Sequence, residues 1–161
     1  WENTFVNDYK AVALGAEQPQ REGREVNDGA PPEWQSNLRL GWTYGDWSAG
    51  WTVRHIDAVT EACSDFRDGT SLSLTALGLC SNPNTADNSL SENELGSTTY
   101  HDLQVSWRNP LGMEGLGLTV GVNNVTDKDP PICLSCSLNG YDAGTYDIPG
   151  QFWYVQANYK F

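Results

Sequence analysis

Four cysteines, two histidines and a scatter of loop carboxylates are the side chains here with chemistry to offer. Cys133-Leu-Ser-Cys136 has the spacing of a redox CxxC, but no βαβ pattern surrounds it. Zinc would need a second ligand pair, and Cys63 and Cys80 are too far apart in sequence to supply one. An even number of cysteines in Gly- and Asn-rich loops points to an oxidising compartment. We expect two disulfides that staple loops, Cys63–Cys80 and Cys133–Cys136; sequence alone leaves the connectivity open. His55 and His101 fall on different strands with no nucleophile beside them. No Gly-x-Ser-x-Gly, His-Glu-x-x-His or phosphate loop occurs. The expectation is therefore a protein that is not an enzyme, with no catalytic residue, cofactor or metal. Ten acids, Glu61, Asp65, Asp68, Asp87, Glu92, Glu94, Asp127, Asp129, Asp142 and Asp147, gather in loops. None has calcium-loop spacing, so they read as a solvated outer surface. Asn124-Val-Thr126 fits a glycosylation acceptor, which at this spacing alone reads as coincidence.

Something must position these loops, and period-2 alternation supplies it. Trp34–Tyr44 sets Trp34, Leu38, Leu40, Trp42 and Tyr44 against Gln35, Asn37, Arg39, Gly41 and Thr43. Trp47–Ile56, Thr98–Trp107, Leu116–Val125 and Gln151–Phe161 alternate in the same way. A sixth strand, about Thr4–Leu14, has ambiguous facing. Ser71–Leu79 is the best helical candidate, and it is short. These strands are long: soluble strands peak near ~5–6 residues, whereas tilted membrane strands need ~9–11. Connections alternate too. Gly45-Asp46 makes a tight hairpin and Arg108–Gly115 a short turn, while 15–33, 57–97 and 126–150 are long. Short turns on one rim and long loops on the other are the habit of outer-membrane barrels.

Composition fits that reading. A net charge of −12 argues against a nucleic-acid partner. No apolar run approaches the ~20 residues of a membrane helix, which leaves strands as the spanning element. Charges inside such strands should avoid the lipid face. Arg39, Arg54, Asp102 and Lys160 all share the polar face; His55 and His101 lie on the apolar one, near strand ends beside the long loops. Aromatics should gather in belts at the interfaces. Trp42, Tyr44, Trp47, Trp107, Tyr159 and Phe161 fall at the short-turn end, and Trp34 and Trp153 at the long-loop end, with Trp51 an exception near mid-strand.

Gly121–Pro131, GVNNVTDKDPP, resembles the penultimate strand and following loop of TonB-dependent outer-membrane receptors. NGYD, TYDIPG and a terminal strand ending Tyr159-Lys-Phe161 strengthen the likeness, and PPEWQSNLRLGWTYGDWSAGWTVR resembles an earlier hairpin of that barrel. The resemblance implies an antiparallel up-and-down transmembrane β-barrel of 22 strands with a plug. This chain, residues 1–161, would be the C-terminal portion: about six long strands, open as a fragment, with the plug absent. It implies uptake of a scarce nutrient (ferric siderophore, haem, cobalamin or glycan) energised through TonB, in the outer membrane of a Gram-negative bacterium, with the C-terminus periplasmic. Implied partners are outer-membrane lipid, the remainder of the barrel and plug, the TonB complex through the missing N-terminal part, and the barrel-assembly machinery, whose signal Tyr159 and Phe161 match. Position alone makes Arg54, Tyr141, Asp142 and Tyr146 the substrate-contact candidates. Rival readings are a soluble β-sandwich carbohydrate-binding module and a small, complete outer-membrane barrel.

Overall fold

A computed structural model describes residues 1–9, 12–13, 15–17, 22–25, 29–63, 73–84, 91–137 and 139–160. Its strands are β1 (Glu2–Phe5), β2 (Val12–Ala13), β3 (Ala16–Glu17), β4 (Trp34–Tyr44), β5 (Trp47–Ile56), β6 (Val59–Ala62), β7 (Glu92–Leu95), β8 (Thr98–Arg108), β9 (Leu116–Asn123) and β10 (Phe152–Tyr159). No α-helix occurs among the described residues; a single 3₁₀ turn, Pro110–Gly112, sits between β8 and β9. Six strands form one antiparallel sheet in the order β1-β4-β5-β8-β9-β10, with β2-β3 and β6-β7 as separate two-stranded sheets.

The alternation read from sequence sets the register. Opposed residues in a ladder share a face, so a one-residue slip would turn every apolar side chain over. Leu40 faces Trp51, which faces Leu103, which faces Val122, which faces Trp153. One row lower, Trp42, Ala49, Val105, Val120 and Val155 line up in the same way. The five charged side chains of the sheet, Glu2, Arg39, Arg54, Asp102 and Arg108, all fall on the opposite face. The apolar face of all six strands carries no Asp, Glu, Lys or Arg.

That face is uncovered. A sandwich would seal Trp42, Val105 and Val120 in a common interior, yet they are 58%, 46% and 47% exposed. The hydrophobic core lies elsewhere. Ile56 and Tyr100, from the polar face at the long-loop end, pack with Ala30, Val59, Leu95, Cys133 and Tyr146 from the loops. The long loops therefore fold inward over one end of the polar face and leave most of the apolar face exposed, Val122, at 5%, being the exception.

Three expectations need correcting. The sixth strand is Glu2–Phe5, paired with Trp34–Asn37, and it is short. Val12–Ala13 belongs instead to the small hairpin with Ala16–Glu17, because Gly15, at φ 79, reverses the chain there. The long connections also hold regular structure, β2-β3 and β6-β7. Of the helical candidate Ser71–Leu79, the described part Ser73–Leu79 is a turn, closed by Leu77 N–H donating to the Ser73 carbonyl at 2.9 Å.

A close fit holds β9 to β10. Gly121 opposes Tyr154 on the polar face, and the Tyr154 ring lies across the bare backbone where a Cβ would stand. Its hydroxyl reaches Gln104 Oε1 at 3.3 Å. Gly121→Ala would drive a methyl into the ring, with an expected cost of about 1–3 kcal/mol. Tyr154→Ser in the same chain should recover most of that loss. If chemical denaturation finds Gly121→Ala as stable as the wild type, the ring is not seated on the glycine.

Candidate functional site

The capped end of the polar face is where charge concentrates. Arg54, on β5, aims its Nε at Asp102 Oδ2 at 3.1 Å, across the ladder on β8. Its two Nη groups take Asp147 from the 126–150 loop, Nη1 at 3.2 Å from Oδ1 and Nη2 against Oδ2. The guanidinium also lies 5.1 Å from the Tyr100 ring centroid. A fork of donors meeting two carboxylates gives direction as well as attraction. Asp102 has a further duty, since its Oδ1 accepts the Asn124 backbone N–H at 2.9 Å. Arg54 thus ties β5, β8 and the last long loop into one unit, and its donors are committed to the protein.

Asn124 explains part of the GVNNVTDKDPP stretch. It is 1% exposed and left-handed, at φ 52, which Asn tolerates better than most residues. Its side chain closes a turn, with Oδ1 accepting Lys128 N–H at 2.8 Å and Nδ2 donating to the Lys128 carbonyl at 2.9 Å. Asp127 Oδ1 accepts the Gln151 N–H at 2.8 Å and fixes the entry to β10.

Glu61 is the largest departure from the sequence reading. The loop acids were expected in solvent, but Glu61 and Asp142 are 0% exposed. Glu61 shares a side of β6 with buried Val59, so the pleat carries it into the cap. No basic side chain among the described residues meets it; it is held by hydrogen bonds. Oε1 accepts Asn93 Nδ2 at 2.7 Å and Leu134 N–H at 2.9 Å, and Oε2 accepts Ser135 N–H at 2.7 Å. The two consecutive amides lie inside the Cys133–Cys136 loop and form a concavity of N–H groups that suits an anion. The Cys133 sulfur lies 3.2 Å from Oε2; in a disulfide it has no proton to give. Both disulfides pair as expected, Cys63 with Cys80 and Cys133 with Cys136, at Cα separations of 5.7 and 5.4 Å.

Asp142 Oδ1 caps a turn, accepting Gly144 N–H at 2.8 Å and Thr145 N–H at 3.2 Å. Thr145 Oγ1 donates to the Ala30 carbonyl at 3.2 Å, stitching this loop to an earlier one. Tyr146 is 3% exposed, and burial pushes its hydroxyl pKa up, with Asp142 and then Glu25 adding to the shift. Among the described residues, Asp142 Oδ2 and the Tyr146 hydroxyl find no hydrogen-bond partner. Of the four residues picked for substrate contact, Arg54, Asp142 and Tyr146 thus build the cap interior. Tyr141 remains half-buried at its surface.

Below the cap the polar face is open. Gly41 opposes Gly50, and two bare backbones in register leave a shallow cavity of about 520 Å³ lined by Arg39, Thr43, Ser48, Thr52, Gln104 and Tyr154. The belt aromatics sit where the alternation put them. At the short-turn end Trp47 stacks on Trp107, centroids 4.7 Å apart and planes 10° from parallel. Trp42 and Tyr44 stack at 6.1 Å on the neighbouring strand, and Tyr159 completes the row on β10. Trp153 occupies the other end, 63% exposed. Phe161 lies outside the described residues, as do Asp65, Asp68 and Asp87. No helix among the described residues is long and apolar enough to cross a membrane, which says nothing of strands. No family model matches this sequence. A comparison with curated proteins finds no match either.

Proposed function

We propose that this chain is part of the wall of an outer-membrane β-barrel of the TonB-dependent receptor type. Such a barrel imports a scarce nutrient through a polar bore and performs no chemistry on it. One observation carries the reading: a six-strand sheet has an exposed apolar face free of Asp, Glu, Lys and Arg, and every strand charge lies on the other side. In water a bare apolar surface of this extent is an aggregation hazard. Against lipid it is the required surface, because a cation there costs ~2–4 kcal/mol at mid-depth. The sheet is open, with β1 and β10 as its edges. In hydrocarbon each unpaired backbone group costs several kcal/mol, so further strands of the same barrel are expected along both. The receptor type itself rests on the motif resemblance; its nutrient would be a ferric siderophore, haem, cobalamin or glycan. The inward-folded cap would then lie at the cell surface, and the Gly45-Asp46 and Pro110–Gly112 turns in the periplasm.

Lipid contact is directly measurable. Trp42, Trp51 and Trp153 are exposed on the proposed lipid face. Reconstituted into vesicles with brominated acyl chains, the protein should lose much of its indole fluorescence. A folded monomer that needs no detergent, and whose indoles brominated lipid leaves bright, would remove the basis of the proposal.

A further inference from the structure

His55 and His101 are the polar anomaly of the apolar face. They stand at its long-loop end, where His101 opposes Val53 and His55 opposes Thr99. Diagonal neighbours of this kind on adjacent strands lie ~7–8 Å apart. Both rings are fixed by their Nδ1 atoms. Trp51 Nε1–H donates to His101 Nδ1 at 3.3 Å, and His55 Nδ1 is 2.8 Å from Thr99 Oγ1. An indole can only donate, so His101 Nδ1 accepts, and the ring proton is on Nε2. Indoles flank both rings: Trp34 lies 4.8 Å from His55 and Trp51 lies 5.8 Å from His101, between centroids.

The indole donors at this rim are spent within the protein. Trp1 donates to Ser36 Oγ, Trp34 to Asn3 Oδ1, Trp51 to His101 and Trp153 to Gln151 Oε1. Among the described residues, these hydrogen bonds leave the Nε2 atoms of the two imidazoles without a partner. No carboxylate stands on this face of the sheet to repel an anion. Trp47, in the opposite belt, is eight residues below His55 on β5, or ~26 Å along the strand at ~3.3 Å per residue; at the ~35–45° tilt of such barrels that is roughly 20 Å of depth, which sets the histidines toward one edge of the ~25 Å apolar band.

We propose that His55 and His101 form a binding site for the phosphate group of a membrane lipid. Its acyl chains would lie along Val53 and Leu103, and its phosphate oxygens would accept hydrogen bonds from Nε2. The site rests on the membrane reading above and deepens it, by naming one chemical group that the lipid face recognises.

Solid-state NMR tests the contact directly. The protein carrying ¹⁵N-histidine is placed in phospholipid bilayers, and dephasing of the imidazole Nε2 signals by lipid ³¹P is recorded. His101→Gln and His55→Gln assign the two signals. The expected result is ³¹P dephasing at Nε2, with the assigned signal lost in each variant. The same protein in phosphate-free maltoside detergent with inorganic phosphate should show none. Equal dephasing by free phosphate would overturn lipid recognition, and no dephasing in bilayers would overturn the site. Brominated-lipid quenching of the indoles on the same sample separates the two ideas. Quenching without dephasing defeats this inference alone, whereas absence of both defeats the membrane reading with it.

Discussion

Val120→Arg should leave most of the protein uninserted, while Thr119→Arg, one residue away, should fold almost as well as the wild type. Val120 is flanked in register by Val105 and Val155, which are 46% and 75% exposed. All three sit near the middle of their strands on the charge-free face. An arginine there would have no counterion or hydrogen-bond acceptor beside it on the sheet. The expected penalty is ~2–4 kcal/mol, the cost of a cation at the bilayer midplane. At a typical net stability of ~5–15 kcal/mol, that is a large share. Thr119 looks the other way. It exchanges a hydrogen bond with Ser106 Oγ at 2.8 Å and stands in a polar row with Gln156. Losing that bond costs about 1 kcal/mol, and a guanidinium on that face keeps its water. Urea titration of vesicle-inserted protein, read as the folded band on an unheated gel, would give both numbers. Equal losses at the two positions would mean that neither face meets lipid.

The contrast between those two positions was legible in the sequence for a physical reason. A strand has a side-chain period of two, so alternation over eight to eleven residues, as in β4, β5, β8, β9 and β10, fixes both the element and its facing. The Gly45-Asp46 turn was readable because Gly45 supplies the positive φ, 57°, that so tight a reversal demands. β1 was not readable. It contributes only four residues, and the stretch after it alternates weakly, so its register comes from Trp34–Asn37 and not from its own pattern.

The cap was the least legible part. Loop acids look alike on paper, whether hydrated or buried. Glu61 differs from Glu94 only in what surrounds it once the loops fold, and those contacts join residues more than seventy positions apart. A faint signal was present, since Val59 and Glu61 are two apart in a short run that pleats. The disulfide pairing was accessible because Cys133 and Cys136 are near neighbours in sequence; the carboxylate that their loop would grip was not.

Glu61 accordingly carries the second large expectation. It joins the 57–97 loop to the 126–150 loop through the Leu134 and Ser135 amides, and to β7 through Asn93. Hydrogen bonds to a charged acceptor are worth ~1.5–3 kcal/mol each, and a buried donor left without a partner costs ~1–3 kcal/mol. Glu61→Gln keeps one oxygen for Asn93 and Leu134 but turns an amide N–H₂ toward the Ser135 N–H, donor against donor. Glu61→Ala removes the acceptor altogether. We expect ~2 kcal/mol of local destabilisation for the first and ~3 kcal/mol or more for the second. The loss should be confined to the cap, because β9 and β10 below it hold each other through their own ladder. Amide hydrogen exchange resolves this residue by residue. Leu134 and Ser135 should exchange at least ~10-fold faster in Glu61→Gln, the factor that ~1.4 kcal/mol of lost protection gives. Val120 and Val155 should keep their wild-type rates. If Leu134 and Ser135 stay protected in both variants, the disulfide loop holds its own shape, and the carboxylate beneath it fills space without fastening the two loops.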